Sequence, residues 1–483
     1  MKTPSLLLAV AASLLTACAS IGGLAVHGSP IQADQLAAQQ SLAPLPLSPA
    51  AWPQEDWWAS FGDPQLDALI RDALAGQPSL RVAEARVRQA QAVAGIAGAS
   101  LDPQVNASLK VTQQHFSENS IYPKGLAGQV RSIDDGQLGA SYELDFWGKN
   151  HAALDAALDR AHAAEVDAQA ARLVLTTTVA RTYLRLDTAY ARRDLAEDTL
   201  RQSEQTLALV RNRVAAQLDS RLELTQAEAA LPAAREQIAA INESIALTNN
   251  QLAALQGKGP DAGLAIRRPA LTSATESVTL PSALPAELLG RRPDIVAERW
   301  RVEATSRDIS VARAGFYPNV TLNAFAGFQS IGLTDFLTAG SRMLGIGPAL
   351  SLPVFDGGRL RGNLALHQAD YDAAVEKYNA TMIAALHDVV EQLVSLNWLA
   401  TEFDEQGQAL ALSRQAWQIA RDRYRSGLAS YLQVLAAEAQ VLSQQRQVIE
   451  SRGRERELRL NLIRALGGGY TPAASPEPQA AKS

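Results

Sequence analysis

Residues 213–222 read Arg213-Val214-Ala215-Ala216-Gln217-Leu218-Asp219-Ser220-Arg221-Leu222, and residues 423–432 read Arg423-Tyr424-Arg425-Ser426-Gly427-Leu428-Ala429-Ser430-Tyr431-Leu432. A shift of 210 superimposes them and also carries Arg211 onto Arg421, Ala227 onto Ala437, Glu228 onto Glu438, Ser141 onto Ser351, Leu252 onto Leu462 and Gly257 onto Gly467. Self-similarity at a fixed offset marks a duplicated architecture. A second shift, of 215, pairs Pro78, Leu80, Arg86, Val87, Pro103 and Val105 with Pro293, Ile295, Arg301, Val302, Pro318 and Val320. The halves therefore differ by five residues in one place, between the paired prolines Pro103 and Pro318 and the paired serines Ser141 and Ser351. Length change confined to one place predicts a loop or hairpin there.

Outward from the quoted decapeptides the chain is helical. Lys149 to Leu231 is 83 residues without Gly or Pro, and no proline falls between Pro353 and Pro472. Helices of that length far exceed the usual 10 to 14 residues and imply coiled-coil-like packing. With a reversal placed in each decapeptide, a helix from about Asn150 to Asn212 reaches roughly 95 Å at 1.5 Å per residue. Each half opens on a further helical segment, Pro78 to about Ser100 and Pro293 to about Gly315, closed by a proline that cannot continue it.

Between these helices the period changes to two. Val105, Ala107, Leu109 and Val111 alternate with Asn106, Ser108, Lys110 and Thr112 over Gln104 to Thr112. The same alternation runs through Gln137 to Phe146 and through Asn319 to Gln329, and more weakly through Leu344 to Val354. These are four strands of about ten residues, the length of a tilted transmembrane β-strand, each with one apolar and one polar face. Asp134 and Asp135 fall before the second strand and read as loop carboxylates. A soluble sandwich is the alternative setting, but no other sheet is available to pack against. Four strands cannot close a barrel and an open edge is not tolerated in lipid, so a membrane sheet requires oligomerisation.

The N-terminus reads as a targeting segment: Lys2, the apolar run Leu6 to Leu15, then Leu15-Thr16-Ala17-Cys18, which has the form of a bacterial lipobox. In such a site Cys18, the single cysteine, is acylated and becomes the mature N-terminus; a simple signal peptide cleaved after Ala17 or Ala19 is the alternative. Of the 483 residues 47% are apolar and 19% charged, and the formal charge is 44 − 50 = −6. No apolar run after residue 20 approaches the roughly 20 residues of a spanning helix, which excludes helical channels. A nucleic-acid partner is not expected, because the densest basic stretch, Arg452 to Arg459, is interleaved with Glu455 and Glu457.

Trp57-Trp58-Ala-Ser-Phe-Gly-Asp-Pro-Gln-Leu66 and Ser141-Tyr-Glu-Leu-Asp-Phe-Trp-Gly148 resemble the outer-membrane efflux factors of the TolC superfamily. Leu284-Pro-Ala-Glu-Leu-Leu-Gly-Arg-Arg-Pro-Asp-Ile-Val-Ala-Glu298, Leu352-Pro-Val-Phe-Asp-Gly-Gly-Arg-Leu-Arg-Gly362 and Arg464-Ala-Leu-Gly-Gly-Gly-Tyr470 resemble its lipoprotein branch, the OprM-like or NodT-type factors. The resemblance implies a mixed, mainly α fold. Each subunit would carry four transmembrane strands and long coiled-coil hairpins in two tandem repeats, completing a trimeric 12-strand β-barrel and a 12-helix periplasmic α-barrel. It divides the chain into a signal peptide (1–17), an acylated extension (18–56), a first repeat (57–256), an equatorial linker (257–290), a second repeat (291–470) and a disordered tail (471–483). The implied location is the outer membrane, with a periplasmic adaptor and an inner-membrane RND transporter as partners.

The same resemblance assigns the reversals to the periplasmic aperture. Leu432 stands where relatives carry an apolar constriction, Tyr424 where they carry a tyrosine that ties coiled coils, and Glu223 where an acidic tying partner stands. Leu218, Ser220, Gly427, Leu428 and Ser430 would meet the adaptor. Ala436 and Ala439 depart from the pattern, replacing an aspartate and an arginine, which puts a ring of charge at the aperture in doubt.

No catalytic centre is expected. The six histidines, His27, His115, His151, His162, His367 and His387, show no ligand spacing, and Gly467-Gly-Gly lacks the Lys-Ser/Thr of a phosphate loop and reads as helix termination. No metal or cofactor is expected either. Passive conduction of small molecules in a tripartite efflux system is the leading expectation, with type I protein secretion and a non-conducting coiled-coil scaffold as alternatives.

Overall fold

The computed structural model describes residues 24–32, 35–36, 52–272 and 290–472. Among these the fold is mainly α-helical with one four-stranded antiparallel sheet. The long helices are α1 (Pro64–Gly76), α2 (Pro78–Gly98), α3 (Lys149–Ala215), α4 (Arg221–Leu255), α5 (Pro293–Ala314), α6 (Arg359–Arg425) and α7 (Tyr431–Ala465). The strands are β1 (Gln104–His115), β2 (Val130–Leu144), β3 (Asn319–Ile331) and β4 (Arg342–Ser351). Both α3 and α6 have 67 residues, both α4 and α7 have 35, and each pair begins and ends 210 positions apart. The length difference between the halves falls in the hairpins, whose loops occupy 116–129 and 332–341.

By backbone packing the described chain divides into two compact units. One contains the described residues up to Pro30 with Arg86–Glu165 and Ala297–Asn379, and so the whole sheet. The other contains the described parts of Ile31–Ala85, Val166–Val296 and Ala380–Ser483, and so both helix reversals.

In the first unit the strands lie in chain order, β1-β2-β3-β4. The register Val105↔Ala140, Ala140↔Ala324, Ala324↔Ile346 brings Val105, Ala107, Leu109 and Val111 onto one face with Leu138, Leu322, Leu344 and Ile346, while Ile133, Ile331 and Met343 fall on the other. Leu109, Leu138, Leu344 and Ile346 stand exposed on the first face. On the other face Asn106, Ser108, Lys110, Gln137, Thr321 and Asn323 share the surface with a single aromatic residue, Phe325. Its ring lies over its cross-strand partner Gly345, where a Cβ would meet the ring at 2.6 Å. Two sequence expectations are corrected here. The second strand starts at Val130, not Gln137, and Asp134 and Asp135 belong to it and not to a loop. Asp134 is fully buried, paired between Val111 and Ser330, and Asp135 accepts a hydrogen bond from Gln329 Nε2 at 3.0 Å. Asp and Gly disfavour strands by local propensity, but β1 and β3 supply ladder partners on both sides, and these decide.

The motifs that carry the family resemblance are packing hubs. In the second unit Asp63 caps α1 by accepting the Gln65 N–H at 2.9 Å, and its carboxylate also accepts from Tyr183 Oη at 2.6 Å and Ala270 N at 2.7 Å. Around it Trp57, Phe61, Leu66, Ile70, Val179, Leu186, Leu252 and Leu460 form the main core. Arg292 is buried where α5 begins and donates to Asp294, Asp388 and the carbonyls of Ala385 and Ala465. In the first unit Asp145 accepts the Asn150 and His151 N–H groups at 3.0 and 2.9 Å and starts α3; Asp356 starts α6 by accepting those of Gly358 and Leu360. Gly467 ends α7 at φ 89, in contact with the Arg291 carbonyl, as helix termination requires.

Candidate functional site at the helix reversals

The two reversals are built alike. Gln217 N–H donates to Val214 O and Leu218 N–H to Arg213 O, at 3.0 and 2.9 Å; Gly427 N–H donates to Tyr424 O and Leu428 N–H to Arg423 O, at 3.0 and 2.8 Å. This paired-bond stop needs a left-handed residue just past the helix. Gly427 supplies it at φ 74; Gln217 takes φ 58 and is the only non-glycine residue with positive φ among the described residues. The helix starts that follow differ. Ser220 Oγ accepts the Leu222 N–H at 3.1 Å while the Glu223 carboxylate accepts the Ser220 N–H at 2.9 Å, a reciprocal capping box. Ser430 makes no side-chain cap, and Gln433 stands where the first copy has Glu223.

The structure joins the reversals through a residue that sequence reading passed over. Tyr424 is 2% exposed, and its hydroxyl donates to Asp219. Arg213 binds the same carboxylate with two nitrogens, at 2.9 and 3.2 Å, lays its guanidinium over the Tyr424 ring at 4.4 Å, and donates to the Arg425 carbonyl at 3.5 Å. Leu207, Val210, Ala227, Tyr431 and Val434 pack around this tie. Burial pushes the Asp219 carboxyl up, but the bonds from Arg213 and Tyr424 and the Arg213 charge outweigh it and hold it below its ordinary 3.8. Burial and the Asp219 acceptor push the Tyr424 hydroxyl up. Within the chain it is thus Asp219 that meets Tyr424, while the Glu223 carboxylate accepts the Ser220 N–H at its own helix start. Spacing alone could not separate them, since Asp219 sits in the turn, where side-chain direction follows the loop backbone.

Leu432 is 67% exposed on the first turn of α7, and Leu218, Leu222 and Leu428 are exposed to a similar degree. Ser220, Gly427 and Ser430 are exposed at the two apices, and Ala436 and Ala439 on the α7 surface. Cys18 lies outside the described residues. Close behind it in sequence, Leu24 packs against the buried cluster of Ile309, Ala312, Phe316 and Leu364, the N–H groups of His27 and Gly28 donate to Asp372 Oδ1 at 2.9 and 2.7 Å, and Asn379 Nδ2 donates to the Ser29 carbonyl at 3.1 Å.

The sheet carries aromatic pairs at both ends. Trp147 stacks on Tyr317 at 4.5 Å and donates to the Pro318 carbonyl where β2 leaves and β3 enters, while Phe116 meets Tyr122, and Phe328 meets Phe336, at the hairpin loops. Among the described residues no helix is long and apolar enough to cross a membrane, and no cluster of His, Cys, Asp and Glu is placed to hold a metal.

The sequence pattern of a family described as "Outer membrane efflux protein" matches residues 69–258 and 284–468. Among curated proteins, the chain is 46% identical over 364 residues to the fusaric acid resistance protein FusA of Burkholderia cepacia, covering 74% of this chain and 68% of that one. It is 32% identical over 475 residues to the multidrug resistance outer membrane protein MdtP of Escherichia coli K12, covering 95% and 97%. Among solved structures, the outer membrane protein VceC of Vibrio cholerae aligns with a TM-score of 0.81 at 38% identity, over 86% of this chain and all of that one.

Proposed function

The chain belongs to the outer membrane efflux protein family, and from that premise we propose that it is the passive exit duct of a tripartite efflux system. It would carry drugs or other small molecules from a periplasmic adaptor and an inner-membrane RND transporter to the exterior. The observation that carries this reading is the sheet: four antiparallel strands with one exposed apolar face, one polar face and aromatic pairs at both ends. In lipid the apolar face meets acyl chains, the aromatic pairs sit at the interfaces, and the polar face lines water. Strands β1 and β4 each keep one edge unpaired among the described residues, and lipid tolerates no open edge. Three copies close the sheet into a twelve-stranded barrel, which makes the working unit a homotrimer. The names of FusA and MdtP support small molecules as cargo over secreted proteins.

Cys18 is the acylated anchor in this reading, carrying palmitate-type chains as in the lipoprotein branch. Cys18 stands six residues before Leu24, a reach of at most about 21 Å, so the acyl chains insert close to where Leu24 docks on the cluster of Ile309, Ala312, Phe316 and Leu364. The tandem repeats 57–256 and 291–470, with the linker 257–290 between them, make up the duct wall. At the reversals Leu432 forms the apolar constriction, the Tyr424–Asp219–Arg213 tie holds it shut, and Leu218, Ser220, Gly427, Leu428 and Ser430 receive the adaptor. Energy enters through the transporter, and the duct itself performs no chemistry.

Planar-bilayer recordings of the purified full chain test conduction, and deletion followed by paired assays of drug accumulation and protein secretion tests the cargo. Discrete conductance with raised drug accumulation and unchanged secretion is the expected outcome. Absence of any conductance by an intact trimer overturns the duct and favours a scaffold; a secretion defect alone favours type I export.

A further inference from the structure

The tandem copies share their backbone but not one of their ion pairs. In the first copy Arg211 donates to Glu228 at 3.2 Å, joining α3 to α4 across the hairpin. The shift of 210 carries this pair onto Arg421 and Glu438, identical residues on α6 and α7. Helix bounds and both reversal bonds also repeat, so the second hairpin holds Arg421 and Glu438 at the same register across its two helices. They are nevertheless not paired with each other.

Glu438 instead turns to α3, accepting a hydrogen bond from Gln202 Nε2, and its burial pushes the carboxyl up. Arg421 lies over the Trp417 ring at 4.7 Å. The Arg421 Nε and the Trp417 Nε1 are both buried and make no hydrogen bond. A desolvated carboxylate without a cation on one helix of the hairpin, and buried donors without an acceptor on the other, is a costly arrangement. The packing of α7 on α3 imposes it, because Gln202 takes the carboxylate that Arg421 would otherwise bind. Trp417 occupies the place of Leu207 in the first copy and supplies the ring on which the guanidinium is parked.

We infer that Arg421 and Glu438 are positioning residues of the aperture: they stay apart while the second hairpin is tied to the first, and pair, as Arg211 and Glu228 do, when it is released. The inference rests on the reading of the reversals as a gate. Release breaks the Tyr424–Asp219 tie and the Gln202–Glu438 bond together, and the new ion pair offsets part of that loss, so the gate has two discrete arrangements. A state favoured by an interaction absent from the other gains population by that difference alone.

Spin labels at Leu218→Cys and Leu428→Cys in the full chain, with the unsubstituted chain as labelling blank, report the joined and separated states of the reversals. The Asp219→Asn background removes the tie and populates the separated state. There, Arg421→Gln and Glu438→Gln are each expected to lower the separated-to-joined ratio about fivefold, the scale of one ion pair. The exchange Arg421→Glu with Glu438→Arg restores the ratio, and Gln202→Ala raises it. Unchanged ratios in both neutral variants, failure of the exchange to restore, or no separated population even without the tie overturns the inference. Conductance of the same proteins separates the two readings: separation that follows the pair without any conductance sinks the duct and leaves the pairing standing.

Discussion

At the scale of single residues, the first reversal holds a backbone conformation that its sequence does not favour. Gln217 takes φ 58 where its counterpart is Gly427, so Gln217→Gly relieves the left-handed penalty and is expected to stabilise the hairpin by about 0.5–1 kcal/mol, read as a higher denaturant midpoint. A lower midpoint would mean that the Gln217 side chain makes a contact worth more than the strain. The Asp219 carboxylate binds Tyr424 and Arg213 in its ionised form and is held below 3.8. A group lowered on folding contributes its stability fully above its unfolded value and loses it as pH falls through the lowered one. The tie therefore persists at neutral pH and in the mildly acidic range, and is lost below pH 3.8. Spin-label distances between the reversals, followed from pH 7 downward, are expected to change with a midpoint below that value, and Asp219→Asn to abolish the transition. A midpoint above it would point to another titrating group.

At the scale of elements, strand alternation makes a prediction with opposite outcomes for adjacent residues. Val105 pairs with Ala140 on the apolar face, and Asn106 with Gly139 on the polar face. Cysteines placed at each in turn are expected to differ in the native membrane: Asn106→Cys reacts with a water-borne thiol reagent and Val105→Cys is protected by lipid. Equal, rapid reaction at both would remove the membrane strand. The long helices act through their ends. Since α3 and α6 stop with the same pair of bonds, the asymmetry between the two reversals resides in a few side chains, Tyr424 in place of Val214 and Asp219 in place of Ala429, and not in helix geometry.

At the scale of the whole molecule, the proposed trimer would bring three copies of the exposed Leu432 to one aperture. An apolar ring resists wetting, so Leu432→Ser is expected to raise resting conductance in planar bilayers. Wild-type conductance from an intact Leu432→Ser trimer would place the constriction elsewhere. The anchor is tested separately. Cys18→Ser is expected to abolish incorporation of labelled fatty acid while leaving part of the transport function, because twelve strands hold the assembly in the bilayer without the acyl chains. Undiminished labelling would show that the lipid is carried at another residue.

The sequence by itself determined what depends on short-range pattern. The matched decapeptides 213–222 and 423–432 announced two hairpins in one register and set where the long helices reverse, the tract free of Gly and Pro from Lys149 to Leu231 showed that they are long although α4 runs on through Pro232, and alternation at Gln104 to Thr112 and Asn319 to Gln329 set the strand faces. Periodicity reports which face a residue occupies, because 3.6 and 2 are properties of the backbone. Only the tertiary structure decided who meets whom across segments some 200 residues apart. Asp219 and not Glu223 receives Tyr424, since one side chain is released by the turn while the other is held by its helix start. Asp134 and Asp135 are strand residues because β1 and β3 flank them, although their own propensity argues for a loop. The identical residues Arg211 and Arg421 have different partners for the same reason: their local sequence is shared, and the packing that presents Gln202 to Glu438 is not.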